Sequence, residues 1–161
     1  MSARNDPVPA EPAERVLEIV RVFDAPPGLV YTVWTTPEHA KRWSAPDGLE
    51  LFFCQMDVRP GGTSRCGMRG RDGTEYWATE VYQEVVENER LVFTQAWDDA
   101  DGKPGHVTTI VVRFEPVDGK TRVTMRQGVF STAKARDDHN EGWLECFDQL
   151  GAYVRKLQEA A

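Results

Sequence analysis

The side chains that could do chemistry in this 161-residue chain are few and widely separated. The three histidines, His39, His106 and His139, share no metal-ligand spacing with one another or with a cysteine. A metal site needs three or four convergent ligands. The sequence also lacks a GxGxxG motif and a P-loop, the glycine patterns that bind nucleotide phosphates. We therefore expect no metal and no cofactor.

Nucleophilic catalysis by serine or cysteine has little support in the residue pattern. The chain contains no GxSxG motif, which marks the nucleophile turn of many hydrolases. Its cysteines, Cys54, Cys66 and Cys146, form no CxxC pair, so we expect three reduced and mostly buried thiols. The alternative is a catalytic pair that joins Cys66 or Cys146 to His139. Because both cysteines occupy apolar positions of periodic segments, we favour a packing role for them.

Two titratable side chains, His139 and Glu80, could act on a bound molecule. His139 precedes Trp143 by four residues, a spacing that places both on one helical face. It could bond a ligand or transfer a proton near neutral pH, although we favour the alternative, a structural hydrogen-bonding histidine. Glu80 lies in a predicted strand. If it faces the interior, it needs a cation from Arg65, from Arg69 or from a ligand, or else a raised pKa; a solvent-facing Glu80 is the alternative.

Antiparallel strands and tight turns must position these groups. Asp-Gly pairs suit the positive φ angles of hairpin turns, and they occur at 47–48, 72–73, 101–102 and 118–119. A Pro-Gly-Gly break follows the same logic at 60–62. The segments between these breaks are rich in alternating apolar and polar residues, as half-buried strands are. They predict strands at 15–23, 49–58, 63–70, 74–86, 90–98, 106–116 and 120–130.

Helices are predicted after the first strand and at the carboxyl end. Apolar residues at 29, 30, 33 and 34 have helical spacing, and Pro37 suits the first turn of a second short helix that Thr36 would cap. A long terminal helix would be capped by Ser131 or Asp137. Its apolar stripe advances in steps of four and three residues and comprises Trp143, Phe147, Leu150, Val154 and Leu157. Together these elements predict one α+β domain over 15–161.

Composition excludes several classes of partner. With 26 acidic and 19 basic residues the net charge is -7, so the chain lacks the basic surface that nucleic acid requires. No apolar run approaches the ~20 residues of a membrane-spanning helix, and the start has no hydrophobic signal core. We therefore expect a cytoplasmic protein that binds neither nucleic acid nor membrane. The proline-rich segment 1–14 predicts a flexible tail.

Four segments in this order resemble the START-like, or SRPBCC, helix-grip superfamily. Within it, they are most similar to the branch named after the activator of the heat-shock-protein-90 ATPase. The segments are RVFDAPPGLVYTVWTTPEHAKRWSAPDG at 21–48, MDVRPGG at 56–62, EVYQEVVENERLVFTQAW at 80–97 and GWLECFDQL at 142–150. Glu80 and Glu87 depart from the pattern, since they stand where the family has Gly and Pro.

The resemblance implies a curved antiparallel sheet of about seven strands that grips the last helix, with a cavity between them. Such a hollow is either filled by bulky aromatic residues or lined by them together with a few polar groups. With five tryptophans in the chain, we expect lining by Trp43, Met68, Trp77, Trp97, Met125, His139 and Trp143, together with the polar Glu80 and Gln95.

Three functions are compatible with this expectation. The leading hypothesis is a binding module for a small, largely hydrophobic or aromatic ligand. The second is an enzyme of the cyclase or hydrolase kind that uses Glu80 or His139 as acid or base. The third, by fold-level analogy alone, is a co-chaperone-like interaction domain. A strand edge could also pair with a second copy of the chain, so a homodimer remains open.

Overall fold

Seven antiparallel strands form one sheet in the computed structural model, which describes residues 12–160. They are β1 (Leu17–Phe23), β2 (Leu49–Met56), β3 (Thr63–Gly70), β4 (Glu75–Val86), β5 (Arg90–Asp98), β6 (Pro104–Val117) and β7 (Lys120–Gly128). The order across the sheet is β1-β7-β6-β5-β4-β3-β2. From β2 to β7, each strand therefore pairs with the strand that follows it in sequence, whereas β1 pairs with β7 and not with β2. The sheet curls into a half-barrel.

Three helices cover the concave face or the ends of this sheet: α1 (Pro27–Thr35), α2 (Pro37–Ala40) and α3 (Ala133–Glu159). The apolar stripe of α3 packs on the sheet, with Phe147, Leu150 and Val154 fully buried. Phe147 meets Phe23 of β1 edge-to-face, with ring centroids 5.6 Å apart. The predicted α+β helix-grip fold is confirmed.

The glycines of the four predicted Asp-Gly turns all have a positive φ, but of the four aspartates only Asp118 has one. The pair at 47–48 lies between α2 and β2 and is not a hairpin turn. At the turn between β6 and β7, Asp118 has a φ of 50° and Gly119 a φ of 80°. Two successive positive φ angles are typical of a two-residue hairpin turn, whose twist matches that of the flanking strands. The turn sets the register in which Val117 faces Lys120. It thereby sets which residues of β6 and β7 point inward.

The helix starts differ in detail from the expectation. Thr132, rather than Ser131 or Asp137, caps α3, since its side chain accepts a hydrogen bond from the backbone N–H of Ala135. An N-cap residue must precede the first helical residue, which is Ala133, and Asp137 lies inside the helix. Pro37 begins α2 as predicted. Thr36 is its N-cap residue but makes no side-chain capping bond.

The amino-terminal boundary also shifts. The predicted tail 1–14 lies for the most part outside the described residues. Within them, Ala13–Arg15 forms a 3-10 turn, and the guanidinium of Arg136 on α3 donates to the carbonyl of Val16 at 3.1 Å. This contact holds the start of β1 against the last helix. Across residues 12–160, no helix has the length and apolar character required to cross a membrane.

Candidate functional site

A cavity of about 470 Å³ lies between the concave face of the sheet and α3. Most of the side chains around it are aliphatic or aromatic. Seven of the residues predicted from sequence line it, and they are Trp43, Met68, Glu80, Gln95, Trp97, His139 and Trp143. The hollow of the sheet is therefore open, with aromatic rings in its walls.

Trp77 and Met125 do not line the cavity, contrary to the expectation. Trp77 lies on the outer face of β4, where its ring covers Gly67 of β3 and its Nε1 donates to Glu75. Side chains alternate along a strand, so Trp77 and Glu80, three residues apart, cannot share the inner face. Met125 points inward from β7 but is fully buried in the main core, beyond the reach of the cavity.

Sequence reasoning missed several aromatic lining residues, namely Trp34, Tyr76, Tyr82 and Phe93. The signal for the tyrosines was present in β4. Starting from Glu80, a period of two along this strand places Tyr76, Ala78 and Tyr82 on the same face, and all of them line the cavity. Trp34 stacks on Trp143 with ring centroids 6.0 Å apart. This contact depends on how α1 sits against α3, which local periodicity does not specify.

A chain of hydrogen bonds runs behind the cavity wall from Trp143 on α3 through the buried Gln127 to Gln95 and Glu80, and we call it the polar ladder. Trp143 Nε1 donates to Gln127 Oε1 at 2.8 Å. Gln127 Nε2 donates to Gln95 Oε1 at 3.1 Å and to Thr108 Oγ1 at 2.9 Å. Gln95 Nε2 then donates to Glu80 Oε2 at 3.0 Å. The ladder thus joins α3 to β7, β6, β5 and β4.

The direction of every bond in the polar ladder follows from its first member. An indole N–H can only donate, so the side-chain atom of Gln127 that meets Trp143 must be its carbonyl oxygen. Its NH₂ group must then face Gln95 Oε1, which leaves the NH₂ group of Gln95 toward Glu80. The buried amides therefore have one consistent orientation, and they present a donor to the carboxylate.

Glu80 is half-buried at the end of this ladder, facing the open volume of the cavity. Burial among apolar walls raises the pKa of Glu80 from 4.5 to about 7, and the hydrogen bond from Gln95 opposes that rise. Desolvation has the larger effect on this pKa, because the folded protein removes water from around the carboxylate and the Gln95 donor replaces only part of that hydration. Near neutral pH the group can therefore exist with or without its proton.

Neither arginine suggested as a partner for Glu80 reaches it. Arg65 is on the outer face of the sheet, where its guanidinium bonds Asp98 at 2.7 Å and lies over the Trp77 ring. Arg69 pairs at 3.8 Å with Glu75, also outside. The pKa of Asp98 is lowered mainly by the hydrogen bond from Arg65. In residues 12–160 no lysine or arginine side chain lines the cavity.

His139 has a hydrogen bond at each ring nitrogen. Its Nε2 accepts from Trp97 Nε1 at 3.2 Å, and its Nδ1 lies 2.7 Å from the carbonyl of Ala135. Since the indole can only donate and the carbonyl can only accept, the ring carries its proton on Nδ1. Because both ring nitrogens have these partners, His139 forms no pair with a cysteine. Its geometry is that of a histidine with a structural hydrogen-bonding role.

The cysteines are free thiols, as expected, but only Cys146 is buried, whereas Cys54 and Cys66 are half-buried neighbours at the sheet edge formed by β2 and β3. Cys54 and Cys66 are register partners across β2 and β3, and their sulfur atoms are 3.8 Å apart. Twelve residues separate them in sequence, so only strand pairing reveals the contact. Cys146 on α3 is buried, and burial raises the pKa of its thiol to about 12. Among the described residues, no three His, Cys, Asp or Glu side chains could together hold a metal ion.

Comparison with known proteins agrees with this geometry. The family model for Activator of Hsp90 ATPase homolog 1-like protein matches residues 24–155, which includes β2 to β7 and nearly all of α3 and begins directly after β1. The chain belongs to this family. The match also spans every element that lines the cavity. The comparison with curated proteins yields no match.

Solved structures that are similar to this chain come from several bacteria. A protein from Nitrosomonas europaea is 27% identical with a TM-score of 0.77, over 92% of this chain and 99% of that one. A protein from Arthrobacter aurescens is 26% identical with a TM-score of 0.79, over 89% and 87% of the two chains. The AHSA1 protein from Silicibacter pomeroyi is 22% identical with a TM-score of 0.76, over 87% and 97%. At that identity the last comparison shows the fold alone.

Proposed function

We propose that this domain binds a small, largely apolar molecule in the cavity between the sheet and α3. The observation that carries the proposal is the open volume of about 470 Å³ with aromatic side chains around it. Such a volume lies within the usual range for small-molecule sites, about 300–1,000 Å³. A 150 Å³ cavity in another protein binds benzene, which has six non-hydrogen atoms. At the same volume per atom, the present cavity of about 470 Å³ accommodates a molecule of about 19 non-hydrogen atoms.

Saturable binding of a neutral aromatic probe tests the proposal. N-phenyl-1-naphthylamine fluoresces more strongly in apolar surroundings, and its two aromatic groups are within the estimated size. We expect a single-site titration curve with the wild-type protein. Unchanged fluorescence at saturating protein would overturn the proposal without recourse to any variant.

A pair of variants on β4 locates the bound probe. Ala78 is buried and lines the cavity, whereas Val81 is 38% exposed on the outer face. Ala78→Trp should weaken probe binding at least about tenfold because the added ring occupies the cavity, while Val81→Trp should leave it unchanged. Overpacking can cost about 1–3 kcal/mol of stability, so Ala78→Phe serves as the milder second variant. Equal affinities in the inner and outer variants would contradict binding at this place.

An enzyme is the second candidate, because one observation favours it. Glu80 faces the cavity with a pKa of about 7, a value suited to proton transfer at neutral pH. His139 lines the same cavity, but its ring nitrogens are engaged by Trp97 and Ala135. In this candidate Glu80 alone is the acid or base. A Glu80→Gln variant that converts a substrate as fast as the wild type would refute it.

A chaperone-related interaction role is supported only by the name of the family. Such a role needs a contiguous apolar surface, whereas the large exposed apolar side chains within residues 12–160 are on several elements, such as Val20 on β1, Val107 on β6 and Leu144 on α3. A pull-down from a lysate that recovers no chaperone would remove this candidate.

A further inference from the structure

We propose that the molecule bound in this cavity is an amine with a largely apolar body, whose ammonium group pairs with the carboxylate of Glu80. The inference rests on the proposed function and names the chemical class of the ligand. It follows from the charge of the cavity, from the hydrogen bonds that Glu80 already makes and from the aromatic side chains that surround it.

The charge of the cavity is the first argument. Its two carboxylates belong to Glu80 and Asp138. Asp138 is largely exposed and pairs with Lys134 one turn earlier on α3, at 2.8 Å, so its charge is matched by the protein. Glu80 has no such match among residues 12–160, because Arg65 and Arg69 are on the outer face with other partners. A ligand cation would supply the missing charge, and an ionised carboxylate out of bulk water gains most from such a partner.

The hydrogen-bonding capacity of Glu80 is the second argument. A carboxylate offers about four acceptor positions on two oxygens, and in the described residues one side-chain donor, Gln95 Nε2, occupies one of them. The hydroxyl of Ser64, the register partner of Glu80 on β3, contacts the Cys66 thiol at 3.7 Å. The polar ladder holds the Gln95 donor in one orientation, so it also holds the carboxylate in place. The remaining acceptor positions suit an ammonium group, which carries several N–H donors.

The surroundings of Glu80 are the third argument. On the inner face, its register partner across β4 and β5 is Gln95. Of the four next inward positions on these strands, one is Ala78 and the other three carry Tyr82, Phe93 and Trp97, and all four line the cavity. Aromatic rings attract cations through their faces and also bury apolar groups. One wall can therefore accommodate both the ammonium group and the apolar body attached to it.

A matched pair of small molecules tests the inference. Biphenyl-4-ylmethylamine and biphenyl-4-ylmethanol have the same apolar body and differ in the terminal group, which is an ammonium or a neutral hydroxyl at pH 8. Both are measured by displacement of N-phenyl-1-naphthylamine. With the wild type we expect the amine to bind about tenfold more tightly than the alcohol, because a hydrogen bond to a charged group contributes more than a neutral one; tenfold corresponds to about 1.4 kcal/mol.

Two isosteric variants on β4 separate local pairing from general charge effects. Glu80→Gln keeps the acceptor for Gln95 but removes the charge, so it should abolish the preference for the amine while the alcohol binds within about twofold of the wild type. Glu75→Gln removes the same charge from the outer face, where Glu75 is bonded to Trp77, and it should retain the preference.

The possible results lead to different conclusions. If the alcohol binds but the amine has no advantage, or if its advantage survives in Glu80→Gln, the ammonium–Glu80 pairing is refuted and the apolar binding site stands. If neither biphenyl compound nor the naphthylamine probe binds, the proposed function itself is refuted and this inference with it.

Discussion

Replacing Glu80 with glutamine should stabilise the protein at alkaline pH and leave its stability unchanged in acid. The substitution keeps the size of the side chain and an oxygen that accepts from Gln95 Nε2, so it removes only the ionisable group. In the folded wild type, burial raises the pKa of this group from 4.5 to about 7. Ionising Glu80 in the folded state is therefore unfavourable relative to the unfolded chain.

The magnitude follows from proton linkage. Below pH 4.5 the carboxyl is protonated in both states, and it contributes no difference. Between pH 4.5 and about 7 the folded protein retains a proton that the unfolded chain releases, so the free energy of unfolding falls as pH rises. Each pKa unit corresponds to about 1.4 kcal/mol. The rise of the Glu80 pKa from 4.5 to about 7 thus destabilises the wild type by about 3 kcal/mol above pH 7, an effect that is absent from the variant.

Urea denaturation of both proteins at pH 4.5, 6 and 8 measures this difference. We expect a gap below about 0.5 kcal/mol at pH 4.5, where the unfolded carboxyl is half ionised, and a gap of about 3 kcal/mol at pH 8, with Glu80→Gln the more stable. For a domain of this size the gap corresponds to a Tm about 6–12 °C higher. Carboxylates such as Asp98 titrate in both proteins, so their contributions cancel. A difference that stays constant with pH would refute the placement of Glu80 in a desolvating cavity.

Two further predictions concern the tryptophans and the thiols around the cavity. In urea denaturation, Trp143→Phe should lower the free energy of unfolding by at least about 1 kcal/mol more than Trp34→Phe does, because it leaves the buried Gln127 oxygen unpaired. Trp34 Nε1 has no hydrogen-bond partner within residues 12–160, so its loss breaks no such bond. Equal losses in the two variants would contradict the polar ladder. Iodoacetamide at pH 8 should alkylate Cys54, whose pKa is lowered by the hydrogen bond with Cys66, well before the buried Cys146. Peptide mass mapping over time measures this order, and early modification of Cys146 would show that α3 opens readily.

Local patterns in the sequence were sufficient to predict the elements and their order. Alternation along each strand and the Asp-Gly pairs between strands act over a few residues, and the positive φ angles at Asp118 and Gly119 bear them out. The apolar stripe of α3 likewise identified Phe147, Leu150 and Val154 as buried. These predictions succeed because backbone sterics and burial of one face act on neighbouring residues, whatever the rest of the chain does.

The inward face of β4 could be determined only in part from the sequence. Period-two alternation excludes the simultaneous inward placement of Trp77 and Glu80, and of the two only Glu80 lines the cavity. Alternation alone does not say which of the two faces the helix. Strand pairing decides it, because the registers of β3 and β5 against β4 place Glu80 opposite Ser64 and Gln95, which are both buried.

The chemistry of the site was decided by tertiary structure. Sequence alone identified Glu80, Gln95, His139 and Trp143 as candidates, and all of them line one cavity. It could not show that Trp143 orients Gln127, a residue 16 positions earlier, or that Gln127 in turn orients Gln95, 32 positions away. Hydrogen bonds between distant residues depend on strand order, register and helix placement together. The charge state of Glu80 depends on that same environment, because desolvation is a property of the folded surroundings and not of the residue itself.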